Sequence, residues 1–197
     1  DSPYHGRGGP LNVVSVGLKS SLDGALLEAA EQLQFRRNPD FCGAEQDGFG
    51  MRQVTQRGGR RASTAAAFLK PARRRANLTV VTGALAARVV LAGRRAVGVE
   101  LVEGDRAMRL EAQREVIVAA GTVGSPALLM RSGIGEPEHL SAHGIAVAHA
   151  LPAVGRNLQD HLSTAVQYRT ASTDAFGLSP KTVPWLAWSA IEYLLFR

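Results

Sequence analysis

From Asn77 to Gly121 apolar and polar residues alternate along the chain, the spacing that places every second side chain on one face of a strand. Five strands are predicted: "LTVVT", "LAARVVL", "AVGVELV", "AMRLEA" and "EVIVAAG". The segments "AGRR" and "EGDR" carry the glycine that a tight turn needs, so the middle three strands should form an antiparallel meander. Val97, Val99 and Leu101 are expected to face inward, and Arg109 and Glu111 to face water. The outer two runs are continuously apolar, the pattern of strands covered on both faces in a parallel sheet. A meander between two parallel-type strands is an unusual order, and it leaves those strands without flanking βα units.

Upstream the period lengthens. Residues 1 to 19 begin with the Gly/Pro-rich "HGRGGP" and then alternate apolar residues, as a loop entering a short strand would. Leu22, Leu26, Ala29, Ala30 and Leu33 recur at helical spacing, and "RRNP" should end that helix. Glycines at 43, 48, 50, 58 and 59 mark a long irregular loop, a kind of segment that often carries function. Ser63 or Thr64 is placed to cap the helix "AAAFLK", closed by Pro71. Downstream, "EVIVAAGTVGSPALLMRSGIG" predicts a strand over Glu115 to Ala120 and a turn at Gly121 and Gly124. Ser125 then caps a helix with Pro126 in its first turn, and Gly133 supplies a left-handed exit. Open amides at such a helix start attract anions, an effect of about 0.3–2 kcal/mol, too little to hold a cofactor unaided. Taken alone, the pattern is more often plain α/β architecture than a ligand site.

Composition narrows the class. A 45% hydrophobic and 20% charged chain of 197 residues is globular in type, and no run approaches the ~20 apolar residues that span a bilayer. The single cysteine, Cys42, excludes an internal disulfide and a cysteine-based zinc site. His139 and His143 lie four apart but lack a third ligand, so no metal is expected, and His5 and His149 read as loop or surface residues. The formal charge of +6, with twenty arginines to three lysines, raises nucleic acid or an acidic lipid surface as a partner. Against that, the densest group, Arg57, Arg60, Arg61, Lys70, Arg73, Arg74 and Arg75, surrounds one short helix without interleaved stacking aromatics. A solvated face, or a match to acidic segments outside this stretch, is the favoured reading. The run "PWLAWSAIEYLLF" is expected to line a core rather than touch a membrane. With Asp1 first and an uncapped apolar run last, both ends look cut from a longer chain.

"GTVGSPALLMRSGIG" resembles the second signature of the glucose-methanol-choline oxidoreductase family. The resemblance extends to "HGRGGPL", "GRRASTAAAFL", "NLTVVTGALAARVV", "GVELVEG" and "LPAVGRNLQDHL", the last with Ala where the family usually has Gly. It implies a mixed α/β fold: part of a glutathione-reductase-like FAD-binding domain whose β-meander crosses between two parallel strands, plus parts of an antiparallel-sheet substrate domain. Residues 1–76 would then be mainly substrate domain, 77–160 the later part of the FAD domain, and 161–197 the start of a substrate-domain sheet and a helix.

The activity so implied is oxidation of a primary alcohol, choline-like or aliphatic, to an aldehyde, with FAD as cofactor and oxygen or a membrane acceptor taking the electrons. The resemblance carries over Ala86 as a backbone contact to adenine, with Ala120 and Gly121 beside the dinucleotide and Asn157 and Asp160 as further cofactor contacts. A turn-stabilising role explains Asn157 and Asp160 equally well. No G-x-G-x-x-G follows an N-terminal strand, and the segment expected to carry the family's catalytic histidine lies beyond Arg197, so no catalytic residue is assigned and His161 reads as structural. An internal fragment of a bacterial enzyme, cytoplasmic or peripheral to the inner membrane, is the reading adopted. A basic nucleic-acid or acidic-lipid module, or a non-catalytic interaction protein on the same fold, is the alternative.

Overall fold

The computed structural model describes residues 3–17, 20–167 and 182–195. In chain order the elements are β1 (Val14–Ser15), α1 (Ser21–Gln32), β2 (Gln53–Val54), β3 (Gln56–Arg57), β4 (Arg60–Arg61), a π-helical turn (Ala65–Leu69) and α2 (Lys70–Ala72). There follow β5 (Leu85–Ala92), β6 (Arg95–Glu103), β7 (Arg106–Glu111), α3 (Gly121–Arg131), β8 (Ile134–Gly135), α4 (Pro137–Ala142), β9 (His149–Ala150) and α5 (Val183–Leu195). They fall into two compact units, one comprising the residues up to Thr79 and from Val166 onward, the other Val80–Ala165.

In the first unit α1 opens on a reciprocal cap. The Asp23 amide donates to Ser20 Oγ at 3.4 Å, and the Ser20 amide donates to Asp23 Oδ2 at 3.0 Å. The helix stops before "RRNP": Gln34 sits at φ 65°, its amide donates to the Glu31 carbonyl, and the Phe35 amide donates to that of Ala30, the paired bonds of a left-handed helix exit. The expected apolar stripe is buried at Ala30 alone. Leu27 and Ala30 are buried, while Leu22, Leu26 and Leu33 stay exposed because nothing among the described residues covers their side of the helix.

Nor does Pro71 close the next helix. The chain widens into a π-turn in which the Lys70 amide reaches back to the Ala65 carbonyl, and a proline directly after such a turn continues into α2. Ser63 does cap, accepting the Ala66 amide at 3.3 Å. α5 departs from the core expectation: Trp185 and Trp188 are 58% and 61% exposed. The strand expected after residue 161 has no counterpart in 161–167 or 182–195, and 168–181 lie outside the described residues.

The second unit contains the meander, in the order β5-β6-β7 and antiparallel throughout. Ala92 pairs with Arg95 and Glu103 with Arg106, so each turn has two central residues, and the first of each is a glycine at positive φ (Gly93, Gly104). One face carries Val89, Val99 and Leu110 in register, followed by Ala86, Leu101 and Met108. The other carries Arg88, Glu100 and Arg109. The Arg88 guanidinium donates to both Glu100 oxygens, at 2.6 and 2.8 Å, and so holds that carboxyl below its ordinary pKa, with Arg109 adding to the effect. Arg109 and Glu111 face water as expected, whereas Val97, Val99 and Leu101 are only half-buried and Leu110 is exposed.

The two outer runs depart from the sequence reading. Neither 78–82 nor 115–119 pairs with anything among the described residues, and Ile117 is 80% exposed. A ladder needs a neighbour, and none of the described strands lies beside either run. The mixed helix-and-sheet class holds, but with three long strands instead of five.

Candidate functional site

α3 frames the site. It begins at Gly121, five residues before the predicted Pro126 start, because Gly121 at φ 80° has already turned the chain out of the 115–119 run. Ser125 therefore lies inside the helix and caps nothing; its Oγ accepts the Ala120 amide at 3.0 Å. Pro126 sits in the second turn, where its missing amide removes one helical bond. No side chain caps the first turn, so the amides there point outward unsatisfied by any cap.

Along one flank of this helix lies the turn Leu151–Gln159. The Val154 amide donates to the Leu151 carbonyl and the Arg156 amide to that of Ala153; Gly155 lies against the Met130 methyl so closely that a Cβ there would overlap it. Arg156 pairs with Glu136 at 3.0 Å. Between the two walls is a groove of about 400 Å³ that runs along α3 from Thr122 to Met130 on one side and along Gly155 to Gln159 on the other. Asn157 adopts φ 58°, a left-handed turn conformation that asparagine tolerates.

The carried-over positions are only partly brought together. Gly121 directly precedes Thr122 at the groove, and Asn157 forms the facing wall. Asp160 is outside the lining, its Oδ1 accepting the His161 amide at 2.8 Å. Ala86 lies on β5 beside the opposite end of α3, which at eleven residues separates it from Gly121 by about 15 Å.

That opposite end holds residues the sequence did not flag. Arg131 donates from Nε to the Ala87 carbonyl at 2.9 Å and from Nη2 to the Ala86 carbonyl at 3.1 Å. Ser132 Oγ accepts the Val89 amide at 2.8 Å and donates to the Leu128 carbonyl at 2.6 Å, in a buried setting. The "RS" pair gave no local signal, because its partners are more than forty residues away in sequence.

The GMC oxidoreductase family model matches residues 8–163. The chain belongs to the GMC oxidoreductase family. This GMC chain is 45% identical over 168 residues to an oxygen-dependent choline dehydrogenase of Pectobacterium atrosepticum, covering 84% of the chain and 30% of that protein. It is 44% identical over 186 residues to the oxygen-dependent choline dehydrogenase of Pseudomonas putida, covering 92% and 33%. Among solved structures, pyridoxine 4-oxidase from Mesorbium loti superposes with a TM-score of 0.73 at 38% identity, over 80% of this chain and 31% of that one. An FAD-dependent oxidoreductase from Chaetomium thermophilum superposes with a TM-score of 0.74 at 26% identity, over 79% and 28%. The chain thus spans about a third of the length of the curated relatives it matches.

In the first unit of this GMC chain, His5 Nε2 meets Asp40 Oδ2 at 2.6 Å, joining two loops that lie 35 residues apart. Asp40 Oδ1 accepts the Cys42 amide and Gln53 Nε2, and the His5 contact, first among these, holds the Asp40 carboxyl below its usual range. His5, an exposed loop residue as expected, thus also serves as a tether. His139 and His143 stack at 4.6 Å with the His143 ring bonded to the His139 carbonyl, and no cluster of three metal-ligating side chains occurs among the described residues.

Proposed function

We propose that this chain forms part of the FAD site of an alcohol-oxidising enzyme, a primary alcohol such as choline or an aliphatic alcohol being the substrate. The observation that carries the reading is the 400 Å³ groove that runs along α3 from Thr122 and Val123, next to its uncapped start, to Met130. The residues present fit a dinucleotide: first-turn amides suit a pyrophosphate, a Cβ at Gly121 would meet nothing within 4 Å so the approach is clear, and Asn157 offers a carboxamide opposite.

When bound, FAD supplies the hydride acceptor for the carbinol carbon. Residues of this chain would bind and orient it: the amides of residues 121–123 would hold its phosphates, Asn157 would close the groove, and Ala120 and Ala86 would offer backbone contacts. No residue described here is assigned as the base, and His161 is exposed beside Asp160. Residues 1–76 and 161–197 are read as mainly substrate-domain elements and 77–160 as FAD-domain elements. Relatives named as choline dehydrogenases and a neighbour named as a pyridoxine oxidase support a small alcohol as substrate. No helix among the described residues is long and apolar enough to cross a membrane, and a place in the cytoplasm or on the inner face of a bacterial membrane is proposed. The basic-module alternative is not favoured, since family membership accounts for the ordered motifs without a nucleic acid or lipid partner.

Anaerobic mixing of the purified full-length protein with choline and a series of aliphatic primary alcohols tests this. A yellow protein whose flavin absorbance bleaches with one of them is expected. A colourless protein overturns the cofactor reading, and a yellow one that no alcohol bleaches overturns the substrate reading.

A further inference from the structure

We propose that Arg131 is a positioning residue for the strand at Ala86. It holds the bulged backbone of β5 in the form that the adenylate half of the dinucleotide meets, and so governs how well the protein distinguishes FAD from FMN. This rests on the assignment of Ala86 made above. In a regular strand successive carbonyls point to opposite edges. At the register shift between Ala86 and Arg88, β5 carries one residue more than β6, and the carbonyls of both Ala86 and Ala87 meet the same guanidinium.

Arginine suits this place because its donors lie in one rigid fork that two neighbouring acceptors can share; an ammonium has no such fork. β5 is the outer strand of its sheet, so no further strand among the described residues holds this edge. The next contact along it is the Val89 amide with Ser132. Two consecutive residues at the end of α3 thus do different things: Ser132 fastens helix to strand, and Arg131 sets the backbone shape at Ala86.

The test compares full-length parent, Arg131→Leu, Arg131→Lys and Ser132→Ala for FAD and FMN dissociation constants and thermal midpoint, together with amide exchange at Ala86 with and without FAD. FAD should slow exchange at Ala86 in the parent. Arg131→Leu should weaken FAD about tenfold, the scale of a lost charge-assisted hydrogen bond, with FMN unchanged, and Arg131→Lys should fall between. Ser132→Ala should lower the midpoint yet keep the FAD-to-FMN ratio. If Ala86 is protected by FAD but Arg131→Leu leaves the ratio unchanged, or weakens both flavins equally, the positioning role is refuted. No FAD-dependent protection at Ala86 in the parent refutes the site assignment instead. Should Arg131→Leu not fold, Arg131→Lys carries the same comparison.

Discussion

Ser132→Ala is the perturbation whose cost the structure defines most closely. Ser132 is 9% exposed and Val89 5% exposed, so the bond from the Val89 amide to Ser132 Oγ, 2.8 Å long, is shielded from water. Removing the hydroxyl leaves that amide without a partner. The Leu128 carbonyl is not orphaned at the same time, because the Ser132 backbone amide still donates to it at 3.1 Å. The expected loss is therefore that of one buried unsatisfied donor, about 1–3 kcal/mol. Ser125→Ala is the control: its bond to the Ala120 amide is exposed, water replaces the hydroxyl, and the loss should stay within about 0.5 kcal/mol. Native-state hydrogen exchange in the full-length protein reads the effect where it arises. The Val89 amide should lose protection corresponding to about 1–3 kcal/mol in Ser132→Ala, while that of Ser125→Ala is unchanged. Unchanged protection at Val89 in Ser132→Ala would refute the claim that this hydroxyl joins α3 to the meander.

Other outcomes follow from the same structure. Gly121→Ala meets no neighbour, so its effect comes from φ 80° alone; a cost of about 1–2 kcal/mol, measured by urea unfolding, and weaker FAD binding are expected. Asn157→Gly keeps the left-handed backbone and loses the carboxamide: if the side chain touches the cofactor, FAD affinity drops, and unchanged affinity by calorimetry reduces Asn157 to a turn residue. Because Arg88 depresses the Glu100 pKa, the stabilisation from this pair is complete above the ordinary glutamate value and fades as pH falls through the depressed one; carboxyl-detected NMR titration should show Glu100 titrating below the ordinary glutamate value, and titration at or above it would contradict the pairing. The 197-residue chain alone should bind FAD weakly or not at all, since among the described residues each unit buries only three apolar side chains; a yellow product at a 1:1 flavin ratio would contradict this.

The meander was legible because period-two patterning and turn glycines act locally: "AGRR" and "EGDR" each encode a two-residue turn whatever lies elsewhere. The buried-strand character of "LTVVT" and "EVIVA" was equally visible, but a strand exists only with a partner, and apolar composition does not supply one. The start of α3 was misplaced because Ser-Pro is a strong local cap, whereas Gly121 at positive φ turns the chain earlier. A left-handed glutamine at 34 has no compositional signal, although the "SSLD" cap at the other end of α1 does and could have been found. Of the candidate site, Asn157 was named from the family pattern and lines the groove, while the start of α3 was not placed. Arg131, Ser132 and the His5–Asp40 tether were not readable, because each depends on residues 35 or more apart that only the folded chain brings together.

Whether this chain forms part of an FAD site turns most directly on where the cofactor's phosphates lie. Amide exchange at Gly121, Thr122 and Val123 in the full-length protein, measured with and without FAD, reads that contact. Marked slowing of all three on adding FAD, absent with a flavin that lacks phosphate, is the result predicted; exchange at these amides that ignores FAD, while the protein is demonstrably saturated, would contradict it.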